Sequence, residues 1–206
     1  MRRSAAFDVV AQFEDALCEF AGATHCVTTD SCSNAIFLAL MWRNRANWRD
    51  HTHPRTVVLP KHTYVGVVQA ARNSGCPIRW SDDQWRGSYQ IGGTNIIDSA
   101  KRFVRGMYQP RTLTCLSFQA GKILPIGRGG AILTNDLEAA QWLRRARLDG
   151  RTAGVDYQHN TYQREGWHCY LPPDAAARGL WLMTYIEDDD PCDWTAYPDL
   201  SEVTWT

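Results

Sequence analysis

The amino-acid sequence predicts an α/β protein, a mostly parallel sheet layered between helices. Short apolar runs of strand length alternate along the chain with stretches of helical periodicity. The helical stretches are roughly ten to fifteen residues long, the length of a crossover between parallel strands. The 206 residues, 44% hydrophobic and 21% charged, have the size and composition of one globular domain with its own core.

The elements follow in order. From Ala5 to Phe20, Phe7, Val10, Phe13, Leu17 and Phe20 recur at helical spacing. Cys26-Val27 reads as a strand, and the polar cluster Thr28 to Asn34 turns into a helix over Ala35 to Trp42, apolar nearly all round and so buried. Thr56 to Leu59 is a strand closed by Pro60, Tyr64 to Asn73 a helix ending near Gly75, and Pro77 to Trp80 a strand. A polar, glycine-containing connection runs from Asp82 to Thr94. Strands follow at Ile96-Ile97 and Thr112 to Phe118, then a tight turn at Gly127-Arg128-Gly129-Gly130 and a strand at Ala131 to Leu133. Leu137 to Leu148 is an amphipathic helix with Arg144, Arg145 and Arg147 on its wet side. From 187 to 206 the chain is an acidic tail without periodicity. No linker divides the chain, so residues 1–206 are expected to form one domain.

Charge and composition exclude several classes. Lys plus Arg and Asp plus Glu both total 22, so the net charge is zero. A general nucleic-acid binder shows a basic excess; a local basic patch is all that this balance permits. No apolar run approaches the roughly 18 residues of a membrane span, and the opening residues turn acidic at Asp8 before a signal-peptide core forms. A cytoplasmic protein is expected. Seven single cysteines (18, 26, 32, 76, 115, 169 and 192) without a Cys-x-x-Cys pair fit reduced thiols. His51 and His53 have no carboxylate or cysteine at ligand spacing, so no metal is expected.

Four features at strand ends or turns bear chemistry. Ser31 to Asn34, opening a buried helix, offers hydroxyls and backbone N–H groups to a phosphate, although a plain N-cap uses the same residues. Asp98 ends the Ile96-Ile97 strand, where a carboxylate can pair with a protonated heteroaromatic nitrogen, or simply cap a helix. Lys122, just past the Ser117-Phe118 strand end, can present an amine to an aldehyde, whereas most lysines face solvent. Tyr64, at a strand-to-helix turn, can stack on a flat ring or pack in the core. In chain order these are a phosphate cup, a stacking ring, a pyridinium partner and a Schiff-base lysine, the parts of a pyridoxal 5'-phosphate site.

At this point the sequence resembles the DegT/StrS-type sugar aminotransferases, fold-type-I pyridoxal-phosphate enzymes, from about Phe13 to Met183. The resemblance is carried by Phe13 to Gly22, by Val57-Val58-Leu59-Pro60 with Thr63-Tyr64, and by Ile97-Asp98-Ser99-Ala100. It is strongest from Ser117 through Lys122 to Gly130 and Leu133 to Asp136, and it continues in Gly166 to Pro172. It implies that Lys122 holds the cofactor and shuttles protons, that Asp98 keeps the ring nitrogen protonated, and that Tyr64 covers the ring face. Ser33, the N–H of Asn34 and Ser117 would hold the phosphate. It further implies a homodimer, with His168 standing where an asparagine of the partner subunit reaches the phosphate, and amino transfer to a keto-sugar nucleotide or similar phosphorylated substrate.

The departures are specific. Cys32-Ser33 replaces the family's Gly-Thr, Lys101 stands where Gln or His faces the sugar, and Tyr170 replaces an arginine. Against the family's pattern, a strand–helix–strand segment is expected to be missing between Asp82 and Asp98, and the small C-terminal domain to be largely missing. The basic pair Lys101-Arg102 is a candidate for a phosphorylated substrate. Two alternatives therefore stay open: a decarboxylase or other tailoring enzyme acting on an amino-acid adduct of a nucleotide or nucleic acid, and a degenerate, non-catalytic partner subunit.

Overall fold

The computed structural model describes residues 7–45, 55–162, 165–187 and 197–205. His51, His53, Cys192 and the acidic run 188–196 lie outside the described residues. Helices α1 (Asp8–Ala21) and α2 (Cys32–Arg43) flank strand β1 (His25–Thr29). Next come β2 (Val57–Pro60), α3 (Val65–Asn73), β3 (Ile78–Ser81), β4 (Tyr89–Gln90), β5 (Ile96–Ser99), β6 (Leu113–Ser117) and β7 (Gly130–Thr134). Helices α4 (Leu137–Ala146) and α5 (Pro173–Met183) complete the order, separated by a 3-10 turn at Tyr157–His159.

The sheet runs β1-β7-β6-β5-β4, with β2-β3 as a separate parallel pair. The alternation of strands and helices is as the sequence predicts, but the sheet is mixed. Of the four pairings in the five-stranded sheet, only β5–β6 is parallel. The reason is local: the loop from β6 to β7 holds no helix and is closed at its base by hydrogen bonds between Phe118 and Gly127–Gly129, so β7 folds straight back beside β6. β1 then pairs with β7 from its other side and regains the direction of β5 and β6. The connection read between Asp82 and Thr94 holds a further reversed strand, β4, which a two-residue element conceals from any periodicity. A bridge between Val58 and Gly92 sets β2 antiparallel to the chain leaving β4, so β1, β2, β3, β5 and β6 share one direction among the described residues.

Period-two alternation divides the core into two layers. Val27, Cys115 and Ile132 face the buried sides of α2, α3 and α4. Cys26, Leu116, Ala131 and Leu133 face α1 and the underside of α5. Phe13 and Phe118 are fully buried and meet edge-on at 5.5 Å. Six described cysteines are free thiols, five of them buried, and no described helix is long and apolar enough to cross a membrane.

Arg147 departs from the wet-side assignment. The helix ends at Ala146, and the Arg147 guanidinium turns inward to the carboxylate of Glu14 and to the Thr28 carbonyl oxygen at 2.6 Å. Glu14 is 6% exposed and also accepts the Thr28 N–H and hydroxyl, both at 2.9 Å. One buried ion pair thus ties α1 and the end of α4 to β1. Glu14→Ala leaves a guanidinium and a backbone N–H unpaired under the sheet. It is expected to lower the unfolding free energy by about 3–5 kcal/mol, read as a shifted urea midpoint with unchanged slope.

Candidate active site

Because β1, β5 and β6 run the same way, their carboxyl ends reach one edge of the sheet, where open α/β folds place ligands. A cavity of about 350 Å³ lies there, and Ser33, Tyr64, Asp98, Ser117 and Lys122 all line it. These come from five separate stretches of the sequence. Asn34, His168 and Lys101 do not line it.

Asp98 occupies the third position of β5, in register with Cys115 of β6 and hence on the face covered by α2. It is 4% exposed. Its Oδ1 accepts the Ala100 N–H at 2.9 Å, and the Tyr89 hydroxyl also donates to it. The Tyr89 and Thr63 hydroxyls lie 2.6 Å apart, so a chain of hydroxyls fixes the carboxylate's orientation. Burial pushes the Asp98 carboxyl above its ordinary value; the Ala100 and Tyr89 hydrogen bonds and the charge of Lys122 pull it back in part. Burial and the Asp98 charge together hold the Tyr89 phenol well above its own usual value, so it remains a donor.

Lys122 sits in the loop that reverses β6 into β7. The loop is closed at its base by hydrogen bonds from Phe118 N–H to the Gly129 carbonyl (2.9 Å) and from Gly127 N–H to the Phe118 carbonyl (3.1 Å). Lys122 N–H donates to Gln119 O at 2.9 Å in a turn, so a short, cross-braced loop carries the amine to the cavity. The other two lysines are engaged elsewhere. Lys61 pairs with Asp82 at 2.8 Å, and Lys101 Nζ lies 4.5 Å from the Tyr197 ring centre.

The residues expected to form a phosphate cup fall at the N-terminus of α2. Ser31 is the N-cap, and its Oγ accepts the Asn34 N–H at 3.2 Å. In this structure the cap uses the Asn34 N–H, the group expected to reach the phosphate. The donors remaining at the cavity are the N–H groups of Cys32 and Ser33, which have no intrahelical partner. The Asn34 amide instead donates to Asp30 Oδ1 at 2.6 Å, and Arg128 Nη2 holds Asp30 Oδ2 at 2.7 Å. Asp30 N–H in turn donates to the Cys169 carbonyl at 2.8 Å, so the later loop props the cup from behind. A Cβ on Gly130 would come within 2.5 Å of Cys32 N, and one on Gly66 within 2.3 Å of Ser33 Oγ and 2.7 Å of the Tyr64 ring. Only glycine lets β7 and α3 approach α2 this closely. Gly130→Ala is expected to lower the unfolding free energy by about 1–3 kcal/mol, measured by urea unfolding, because the obstruction is backbone and cannot swing aside.

Tyr64 stands at the start of α3, 53% exposed, with its ring at the cavity mouth beside Tyr197 at 6.3 Å. His168 lies away from this cavity, on a neighbouring one of about 540 Å³. Its Nδ1 is 2.9 Å from Asp149 Oδ2 and its ring packs on Tyr170. Arg128 lines both cavities. Sequence reasoning missed Tyr89, the Asp30–Arg128 pair and Tyr197. Only Asp30, next to the cap, carried a signal that spacing could have shown.

The donor set fits pyridoxal phosphate. It offers a buried carboxylate for a ring nitrogen, an amine for an aldehyde and a glycine-lined helix N-terminus for a phosphate. A model of the DegT/DnrJ/EryC1/StrS aminotransferase family matches residues 4–82 and 106–188. Three solved structures share the fold. A DegT DnrJ EryC1 StrS aminotransferase from Brucella abortus is 20% identical over 89% of this chain and 63% of its own, with a TM-score of 0.67. A sugar aminotransferase from Micromonospora echinospora is 18% identical over 85% and 60%, with a TM-score of 0.67. The Helicobacter pylori aminotransferase involved in the biosynthesis of pseudoaminic acid is 17% identical over 87% and 61%, with a TM-score of 0.64. The chain thus spans about three fifths of the length of these structures. No curated protein matches it.

Proposed function

The chain belongs to the DegT/DnrJ/EryC1/StrS aminotransferase family, and from that premise we propose that it is a pyridoxal-phosphate-dependent aminotransferase acting on a keto-sugar nucleotide or a similar phosphorylated substrate. The observation that carries this reading is the meeting of Lys122, Asp98, Ser33, Ser117 and Tyr64 in one cavity at the shared strand edge. When bound, the cofactor supplies an electron sink for the carbon that bears the amino group. Lys122 Nζ would hold the cofactor's aldehyde as a Schiff base and, once released, carry a proton to and from that carbon. Asp98 would keep the ring nitrogen protonated, an ion pair that a buried site strengthens. Tyr64 would cover one ring face. The Ser33 and Ser117 hydroxyls, with the Cys32 and Ser33 N–H groups, would receive the phosphate at the positive end of α2.

We further propose a cytoplasmic homodimer. His168 lines a neighbouring cavity instead of the one that holds Lys122, which leaves room for a role toward a partner's cavity. Sedimentation at micromolar concentration tests this, and a monomer that binds cofactor at full strength would refute it. Adding pyridoxal phosphate to the purified chain should produce a visible absorbance band. Incubation with glutamate and keto-sugar nucleotides should then yield 2-oxoglutarate. Carbon dioxide released from an amino-acid adduct would instead favour the decarboxylase. No band at all would favour the degenerate subunit.

A further inference from the structure

The C-terminal segment is not a loose tail. After the acidic run the chain returns at Tyr197, and from there to Trp205 it lies against the β2–α3 corner. Leu200 is 5% exposed and its N–H donates to the Lys61 carbonyl at 3.0 Å. His62 Nδ1 is 3.0 Å from the Tyr197 carbonyl oxygen. Asp199 Oδ1 takes both the N–H and the hydroxyl of Ser201, at 2.8 and 2.6 Å. Trp205 packs on the core beneath Arg72. Burying a leucine contributes about 1.5–3 kcal/mol, which adds to these hydrogen bonds and to the Trp205 contact in seating the segment without regular secondary structure.

That anchoring delivers one side chain to the cavity: Tyr197 is part of its lining. The Tyr197 ring meets Tyr64 at 6.3 Å and stacks near-parallel with Trp85 at 6.1 Å, while Lys101 Nζ lies over it at 4.5 Å. Trp85 is itself fixed by a hydrogen bond from Nε1 to the His62 carbonyl at 2.9 Å. The two tyrosines are far apart in the sequence and stand on the same rim.

We propose that Tyr197 is a positioning and access-controlling residue of the site. The C-terminal segment carries it as a strap across one side of the cavity mouth, where its ring holds that of Tyr64 in place. Lys101, which does not line the cavity, lies with its ammonium over the Tyr197 and Trp85 rings. For the cofactor the proposal rests on the function given above; for access to Lys122 it does not.

The test therefore has two arms. With only three lysines in the chain, labelling of the cofactor-free protein by trinitrobenzenesulfonate can be followed at each by peptide mapping. Tyr197→Ala is expected to speed labelling of Lys122 by at least about fivefold, as a mostly closed rim becomes mostly open, with Lys61 unchanged. Tyr197→Phe, which keeps the ring, should stay near the parent. Equal Lys122 rates in parent and Tyr197→Ala would overturn the proposal. A Lys61 rate that rises in step would too, since the whole corner would then have come loose. In the second arm, protein loaded with pyridoxal phosphate should release it about tenfold faster in Tyr197→Ala, with Tyr197→Phe again near the parent. Unchanged release would remove the positioning role. Failure of the parent chain to take up the cofactor would count against the proposed function, while the labelling arm still decides the strap.

Discussion

Borohydride reduction of the chain after loading with pyridoxal phosphate is expected to place the pyridoxyl mass on Lys122 alone. The geometry leaves little choice. Of the three lysines only Lys122 lines the cavity. Lys61 is held by Asp82 at 2.8 Å, and Lys101 lies over the Tyr197 ring. Lys122→Ala should abolish the reducible attachment. It should also cut turnover by about 10²–10⁴-fold through the lost proton transfer alone. Lys122→Arg keeps a positive charge near Asp98 and should be equally inactive, because a guanidinium neither forms the imine nor gives up its proton at neutral pH. A label on Lys61 or Lys101 would overturn the site, and no label on any lysine would make the chain a non-catalytic relative.

How much of this was legible follows from which interactions are local. β1, α2, β5, β6 and β7 were readable because each is a short apolar run bounded by turn or cap residues, and Gly127 to Gly130 marks the reversal before β7. The direction of β7 was not, since pairing depends on whether the preceding loop crosses over the sheet or folds straight back. β4 was missed because two residues have no period. Asp98 and Lys122 were found from their places at strand ends, and the N-cap at Ser31 from its residue type. Tyr89 and Tyr197 could not be found that way. Each reaches the site through contacts that join distant parts of the chain, Tyr89 through the β4–β5 register and Tyr197 through the seating of Leu200. Arg147 was misread for the same reason. Helical phase puts it outward, but the buried Glu14, itself beside Phe13 on the apolar face of α1, draws it in.

Asp98→Asn is expected to separate stability from activity, and the sign of each effect follows from burial. In the folded protein without cofactor the carboxyl lies above its ordinary value, chiefly because burial disfavours the charged form. Between the unfolded value, about 3.9, and the raised native one, the native state therefore keeps a proton that the unfolded chain has released. Stability falls as pH rises through that window and stays at the lower level above it. At neutral pH the buried Asp98 carboxyl is thus a standing cost to the cofactor-free fold. The neutral amide of the Asp98→Asn variant carries no such charge and can still accept the Ala100 N–H, so the cofactor-free variant should melt higher than the parent at pH 7. The difference should vanish at acid pH below the window. With pyridoxal phosphate bound the advantage should pass to the parent, which gains an ion pair to the protonated ring nitrogen, whereas the variant offers only a neutral partner. The melting increment on cofactor addition should be smaller in the variant, and turnover should fall by about 10²–10³-fold, the scale for removing one preorganised electrostatic contact. A cofactor-free Asp98→Asn chain that melts at or below the parent at pH 7 would refute the burial argument. A variant that turns over at the parental rate would refute the pairing with the ring nitrogen.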